Sequence, residues 1–135
     1  MIPAEQQQVI VNRSNLHEAQ VETVATPDAD NLEAGEVILQ IEKFGFSANN
    51  ITYAVVGEQV KYWQFFPAKA GWGIVPVWGF AKVVKSNAEN VAEGTRLYGY
   101  LPMAEYLKVK VGKLNPVGFS DGSAHRAELA PVYNF

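Results

Sequence analysis

Gly35-Glu36-Val37-Ile38-Leu39-Gln40-Ile41-Glu42-Lys43-Phe44-Gly45-Phe46-Ser47 alternates apolar and polar side chains with a period of two. Val37, Leu39 and Ile41 fall on one face and Gln40 and Glu42 on the other, which is the pattern of a strand with one wet side. Past Lys43 the phase slips. Phe44 and Phe46 occupy the former polar register with Gly45 between them, and this predicts a bulge or sharp bend. Upstream, Val9 and Val11 lead through a polar turn at Arg13 to Asn15. Ala19, Val21, Thr23 and Ala25 then alternate with Glu18, Gln20, Glu22 and Val24, so two strands in a hairpin are expected. The acid-rich run Thr26-Pro27-Asp28-Ala29-Asp30-Asn31 reads as an exposed connection.

Downstream the period of two returns in Val77 to Lys85, in Leu97 to Leu101, and in Leu107, Val109 and Val111 alternating with Lys108 and Lys110. Between these blocks, Asn49-Asn50 is placed to cap a short helix over Ile51 to Val55, with Gly57 ending it in a left-handed conformation. Gly71-Trp72-Gly73 and Pro76 interrupt regular structure, so Tyr62 to Trp78 reads as a long ordered loop. No stretch sustains a 3.6-residue period, no repeat is present, and strands do not alternate with long helices. A doubly wound sheet is excluded, and about six strands in a closed or partly open barrel are expected.

Composition narrows the function classes. The 135 residues are 48% apolar, 12% aromatic and 19% charged, enough for one ring-rich hydrophobic core. Eleven Lys and Arg against 14 Asp and Glu give a net charge of −3, so nothing draws the chain to nucleic acid or an anionic membrane. Cysteine is absent, which removes disulfides, thiolate nucleophiles and every cysteine-ligated metal site. Met1 to Asn12 lacks the pattern of an export leader, and no run approaches the roughly 18 apolar residues that span a bilayer. A cytoplasmic protein without a membrane partner is the expectation.

Four motifs in order carry a family resemblance. Gly35-Glu36-Val37 with its alternating strand, Phe44-Gly45-Phe46-Ser47, Gly94-Thr95-Arg96-Leu97 and Ala104-Glu105-Tyr106 resemble the N-terminal domain of the medium-chain dehydrogenase/reductases, a GroES-like barrel. Trp72-Gly73 and Pro76-Val77-Trp78-Gly79-Phe80-Ala81 further resemble a domain-of-unknown-function family related to those reductases. The resemblance implies a mainly β, GroES-like partly open β-barrel with one or two short helices over residues 1–119. It also implies a connector over 120–135 leading to a Rossmann domain outside this chain. NADH or NADPH would bind that domain; the chain itself has no Gly-x-Gly-x-x-Gly turn between strand and helix and so no cofactor-binding residues. Ser47 stands where zinc-dependent members place a cysteine ligand, and Val77-Trp78-Gly79 replaces their Gly-His-Glu. No metal site is expected, and any activity resembles the zinc-free quinone and enoyl reductase branch.

The resemblance places Ser47, Asn49, Asn50 and Tyr53 on the loop that faces nicotinamide and substrate carbonyl, with Ser47 and Tyr53 as the catalytic candidates. Asn49, Asn50, Trp63, Trp72 and Trp78 are the substrate-binding candidates, because hydroxyl and amide donors stabilise oxyanion charge and ring faces bind flat apolar molecules. Ordinary alternatives stand beside these roles. Asn50 and Ser47 serve equally well as a helix cap and bend, and the rings from Tyr62 to Phe80 serve as core or interface. His17 and His125 read as surface residues, and Lys108, Lys110 and Lys113 as a solvated strand face. The expected function is the substrate-side domain of a zinc-independent nicotinamide-dependent reductase, inactive alone. Its partners would be a small-molecule substrate and its own C-terminal domain, with a homo-oligomer left open. The alternative is a noncatalytic ligand-binding or protein-interaction barrel.

Overall fold

The computed structural model describes residues 2–59, 61–115 and 118–122. Among them, eight strands, one α-helix and two short 3-10 turns follow the order β1 (Glu5–Asn12), β2 (Asn15–Ala25), β3 (Glu36–Gly45), α1 (Ala48–Val55), β4 (Trp72–Gly73), β5 (Val77–Ser86), β6 (Arg96–Leu101), β7 (Tyr106–Asn115) and β8 (Gly118–Asp121). The 3-10 turns lie at Ala29–Asn31 and Tyr62–Gln64. The strands form a three-stranded sheet, β2-β1-β4, and a five-stranded sheet, β6-β5-β3-β7-β8. The fold is mainly β, a GroES-like partly open barrel.

The strand from Glu36 to Gly45 sits at the centre of the larger sheet because its apolar face meets apolar partners on both sides. Val37 lies opposite Val109 and Leu39 opposite Leu107 on β7, while Ile41 lies opposite Ala81 on β5. Val37, Val77 and Val83 are completely buried. Each such side chain contributes roughly 1.5–3 kcal/mol by leaving water. The phase slip also holds: the β3–β5 register shifts between Ile41 and Lys43, and Phe44 then faces Gly79. At that crossing the backbones touch, for a Cβ on Gly79 would lie 2.2 Å from the Lys43 carbonyl oxygen.

The segment from Pro102 to Glu105 ties the sheets together. The Val9 amide donates to Met103 at 2.8 Å and the Ile41 amide to Glu105 at 2.8 Å. Gln6 completes the joint, its Oε1 accepting the Tyr106 amide at 2.8 Å and the Glu105 amide at 3.2 Å. Gln6 is only 6% exposed, and these bonds offset the cost of burying its amide.

Several local expectations change. On β2 the outward face is the one carrying Ala19, Val21, Thr23 and Ala25, while Leu16, Glu22 and Val24 are half-buried. Register decides this, since β1 sets its buried Gln6 and Ile10 against Val24 and Gln20. Trp72 and Gly73 form a two-residue strand on β1 instead of lying in loop. Helix α1 is capped by Ser47, with Asn50 at its third position. Gly57 does not take a left-handed φ; the positive-φ glycines are Gly35, Gly71 and Gly94. Strand β8 extends through Ser120 and Asp121. The remainder of the connector expectation, residues 123–135, and His125 within it lie outside the described residues.

Candidate functional site

The bulge in β3 throws Phe46 outward, and Ser47 then opens α1. The Asn50 carboxamide locks this corner. Its Oδ1 accepts the Ser47 amide at 2.8 Å and the Ser47 hydroxyl at 3.4 Å, while its Nδ2 donates to the Pro76 carbonyl at 2.9 Å. The helix is thereby anchored to the entry of β5, and Tyr53 and Ala54 turn inward with Asn50. Tyr53 meets Trp78 and Asn49 there: its hydroxyl accepts from Trp78 Nε1 and from Asn49 Nδ2, each at 3.4 Å.

Trp78 begins a ladder of rings across β5 and β6. Register puts Trp78 opposite Tyr100 and Phe80 opposite Tyr98. Trp78 lies 5.1 Å from the Tyr100 ring and stacks on Tyr98 at 5.9 Å, and Tyr98 meets Phe80 at 5.0 Å. Tyr100 is the inner end, 4% exposed, with Phe65 edge-on at 5.0 Å and Tyr53 edge-on at 5.6 Å. Tyr98 is the outer end, 60% exposed. Beyond it the Arg96 guanidinium lies 5.8 Å from the Phe80 centroid and pairs with Glu42 at 3.0 Å. Rings of graded exposure next to exposed carboxamide and hydroxyl groups form a flank whose chemistry suits stacking of a flat molecule, with donors beside it for a polar substituent.

Five of the seven residues singled out from sequence converge here: Ser47, Asn49, Asn50, Tyr53 and Trp78. Trp63 lies in the main core cluster with Val11, Ala54 and Val75, below the Arg13 guanidinium at 5.7 Å. Trp72 packs against the cluster of Ile10, Phe65 and Ile74, with the Lys69 ammonium 5.1 Å from its ring. Sequence reading missed Tyr98 and Tyr100. Their spacing of two on a strand opposite Trp78 and Phe80 is the signal that finds them. Among the described residues no three His, Asp or Glu side chains gather to hold a metal. No helix is long and apolar enough to cross a membrane.

Residues 44–135 match the family described as "Protein of unknown function (DUF2855)". No curated protein matches the chain. Among solved structures, the chain is similar to the human synaptic vesicle membrane protein VAT-1 homolog-like protein, with a TM-score of 0.51 and 15% identity. The similarity covers 86% of this chain and 38% of that one, so the chain spans well under half the length of that protein.

Proposed function

The chain belongs to the DUF2855 family, and from that premise we propose that it is the substrate-side barrel of a zinc-independent, oxidoreductase-like protein acting on a flat enone, quinone or carbonyl compound. The observation that carries this reading is the joining of Tyr53, Asn49 and Trp78 at one hydroxyl beside the outward rings of Tyr98 and Phe80. The shared barrel fold and the order of motifs support it. In this reading the rings hold the substrate plane. Asn49 and Ser47, both exposed, donate to its carbonyl oxygen, and Tyr53 orients Asn49 from behind.

Hydroxyl, carboxamide and indole groups are poor zinc ligands, so the residues at this corner do not fit a catalytic zinc. A nicotinamide cofactor, when bound, supplies hydride. The described residues hold no strand, glycine turn and helix in sequence to cradle a dinucleotide, so its binding is assigned to sequence outside them. The test is expression of the uninterrupted open reading frame with nicotinamide binding followed by fluorescence. Binding of NADH or NADPH, with quinone or enone reduction lowered in Ser47→Ala and Tyr53→Phe, is expected. Failure to bind either cofactor sinks the reductase reading.

A noncatalytic interaction barrel is the second reading, favoured by the apolar side chains that Phe46, Ile51 and Val55 expose on the same corner. It predicts that Trp72→Ala and Trp78→Ala abolish association with a partner while Ser47→Ala leaves every activity intact.

A further inference from the structure

We propose that a cavity between the β1–β2 hairpin and β7, apart from the ring flank, binds a neutral, flat, ring-bearing molecule carrying one hydroxyl or carbonyl group. This goes beyond the reading above, for none of the seven residues singled out from the sequence lines it. The cavity holds about 360 Å³, within the roughly 300–1,000 Å³ usual for small-molecule sites. Its walls include the Phe65 and Phe66 rings, Ile74 and Leu107. Pro27, Pro67 and Pro102 also line it, and their fixed φ leaves little freedom for the walls to collapse.

The polar groups define the ligand. Gln6, more than nine-tenths buried, has committed its carboxamide oxygen to the amides of Glu105 and Tyr106. Thr26 donates its backbone amide to Ala4 at 3.0 Å, but its buried hydroxyl oxygen has no hydrogen-bond partner among the described residues. An unpaired buried hydroxyl costs about 1–3 kcal/mol. Thr26 lines the cavity, so a ligand hydroxyl or carbonyl seated against it would give that oxygen a partner. Charge is excluded by the remaining partners. Lys108, the charged residue among those lining the cavity, is paired with Glu36 at 3.6 Å, and Gln8 donates to Glu22 at 3.0 Å. The site therefore rewards a neutral molecule and offers an anion no free cation.

The test titrates the full chain with 2-naphthol near neutral pH, followed by amide chemical shifts. Shifts at Ile74, Ala104 and Leu107 are expected, with 2-naphthoate, the same rings bearing a carboxylate, at least about tenfold weaker. Thr26→Val keeps the shape and removes the hydroxyl. It should weaken 2-naphthol about tenfold while leaving thermal stability unchanged or raised. Ala104→Phe fills the cavity and should abolish binding, whereas Tyr98→Ser, which removes the exposed ring of the other site, should leave it unchanged. Absence of shifts at those amides, equal affinity in Thr26→Val, or tighter binding of 2-naphthoate would overturn the proposal. Should Ala104→Phe fail to fold, Thr26→Val alone decides.

Discussion

Asn50 Nδ2 donates to the Pro76 carbonyl oxygen at 2.9 Å across 26 residues of sequence, and this buried bond fixes where α1 sits on the barrel. The same carboxamide accepts the Ser47 amide, so one side chain holds both the helix start and the entry to β5. Asn50→Leu leaves a buried carbonyl and an amide unpaired and should cost about 1–3 kcal/mol. Ser47→Ala should cost less, about 0.5–1 kcal/mol, because the Asn50 carboxamide still holds the amide of residue 47 once the hydroxyl is gone. Thermal unfolding of the two variants checks the order. A larger loss in Ser47→Ala would mean that the cap, and not the carboxamide, carries the corner.

Trp63 lies in a slot made by two glycines. A Cβ on Gly57 would fall 2.3 Å from the indole Nε1, and one on Gly73 would fall 2.3 Å from its Cε3. The indole is buried, so it cannot swing aside. Gly57→Ala should destabilise by about 1–3 kcal/mol through overpacking. Trp63→Phe, which shortens the ring at that edge, should recover part of the loss in the double variant. Additive losses in a double-mutant cycle would show that Gly57 is constrained by something other than the indole.

This slot also explains why the barrel was legible in sequence and the site only in part. Strand period is local, so Val37, Leu39 and Ile41 announce their face, and the slip at Phe44 announces the bulge seen at Ile41 to Lys43. Ring-rich composition carries no such address. Trp63 and Trp78 look alike in the chain, yet one fills the core and the other opens the exposed ladder. What separates them is the glycine pair around Trp63 and the cross-strand position of Trp78, and both are tertiary facts. The face of β2 failed for a related reason. An edge strand with mixed polarity takes its orientation from its partner, and β1 buries Gln6, which composition marks as polar.

Asp28 caps the 3-10 turn at Ala29–Asn31 and is fully exposed. The Asn31 side chain, and after it the Asp30 amide, hold its carboxyl below the ordinary value of 3.8. A depressed pKa means that the folded state prefers the carboxylate. Its contribution is therefore complete above the unfolded value and is lost as pH falls through the folded one. Asp28→Asn should lower stability slightly near neutrality, where the carboxylate's contribution is complete, and the two profiles should converge as pH falls below about 4. Carbon-detected titration of the Asp28 carboxyl gives the direct check, and a midpoint at or above 3.8 would contradict the assignment.

The ring ladder separates stability from recognition by depth. Tyr100 is enclosed by the rings of Tyr53, Phe65, Phe66 and Trp78, so Tyr100→Ala should cost about 3–5 kcal/mol, as large aromatic truncations in cores do. Tyr98 touches Trp78 and Phe80 but faces water, and Tyr98→Ser should cost about 0.5–1.5 kcal/mol, well under the loss at Tyr100. If the flank binds flat substrates, the outer ring is where they stack. An aromatic face contributes about 0.5–1.5 kcal/mol beyond its buried area, so Tyr98→Ser should weaken 1,4-naphthoquinone binding by up to about tenfold while the protein stays folded at the temperature of the titration. Quenching of tryptophan fluorescence during titration reads the affinity, since Trp78 is next in the stack. Unchanged affinity in Tyr98→Ser, with the fold intact, would remove this flank as the substrate surface.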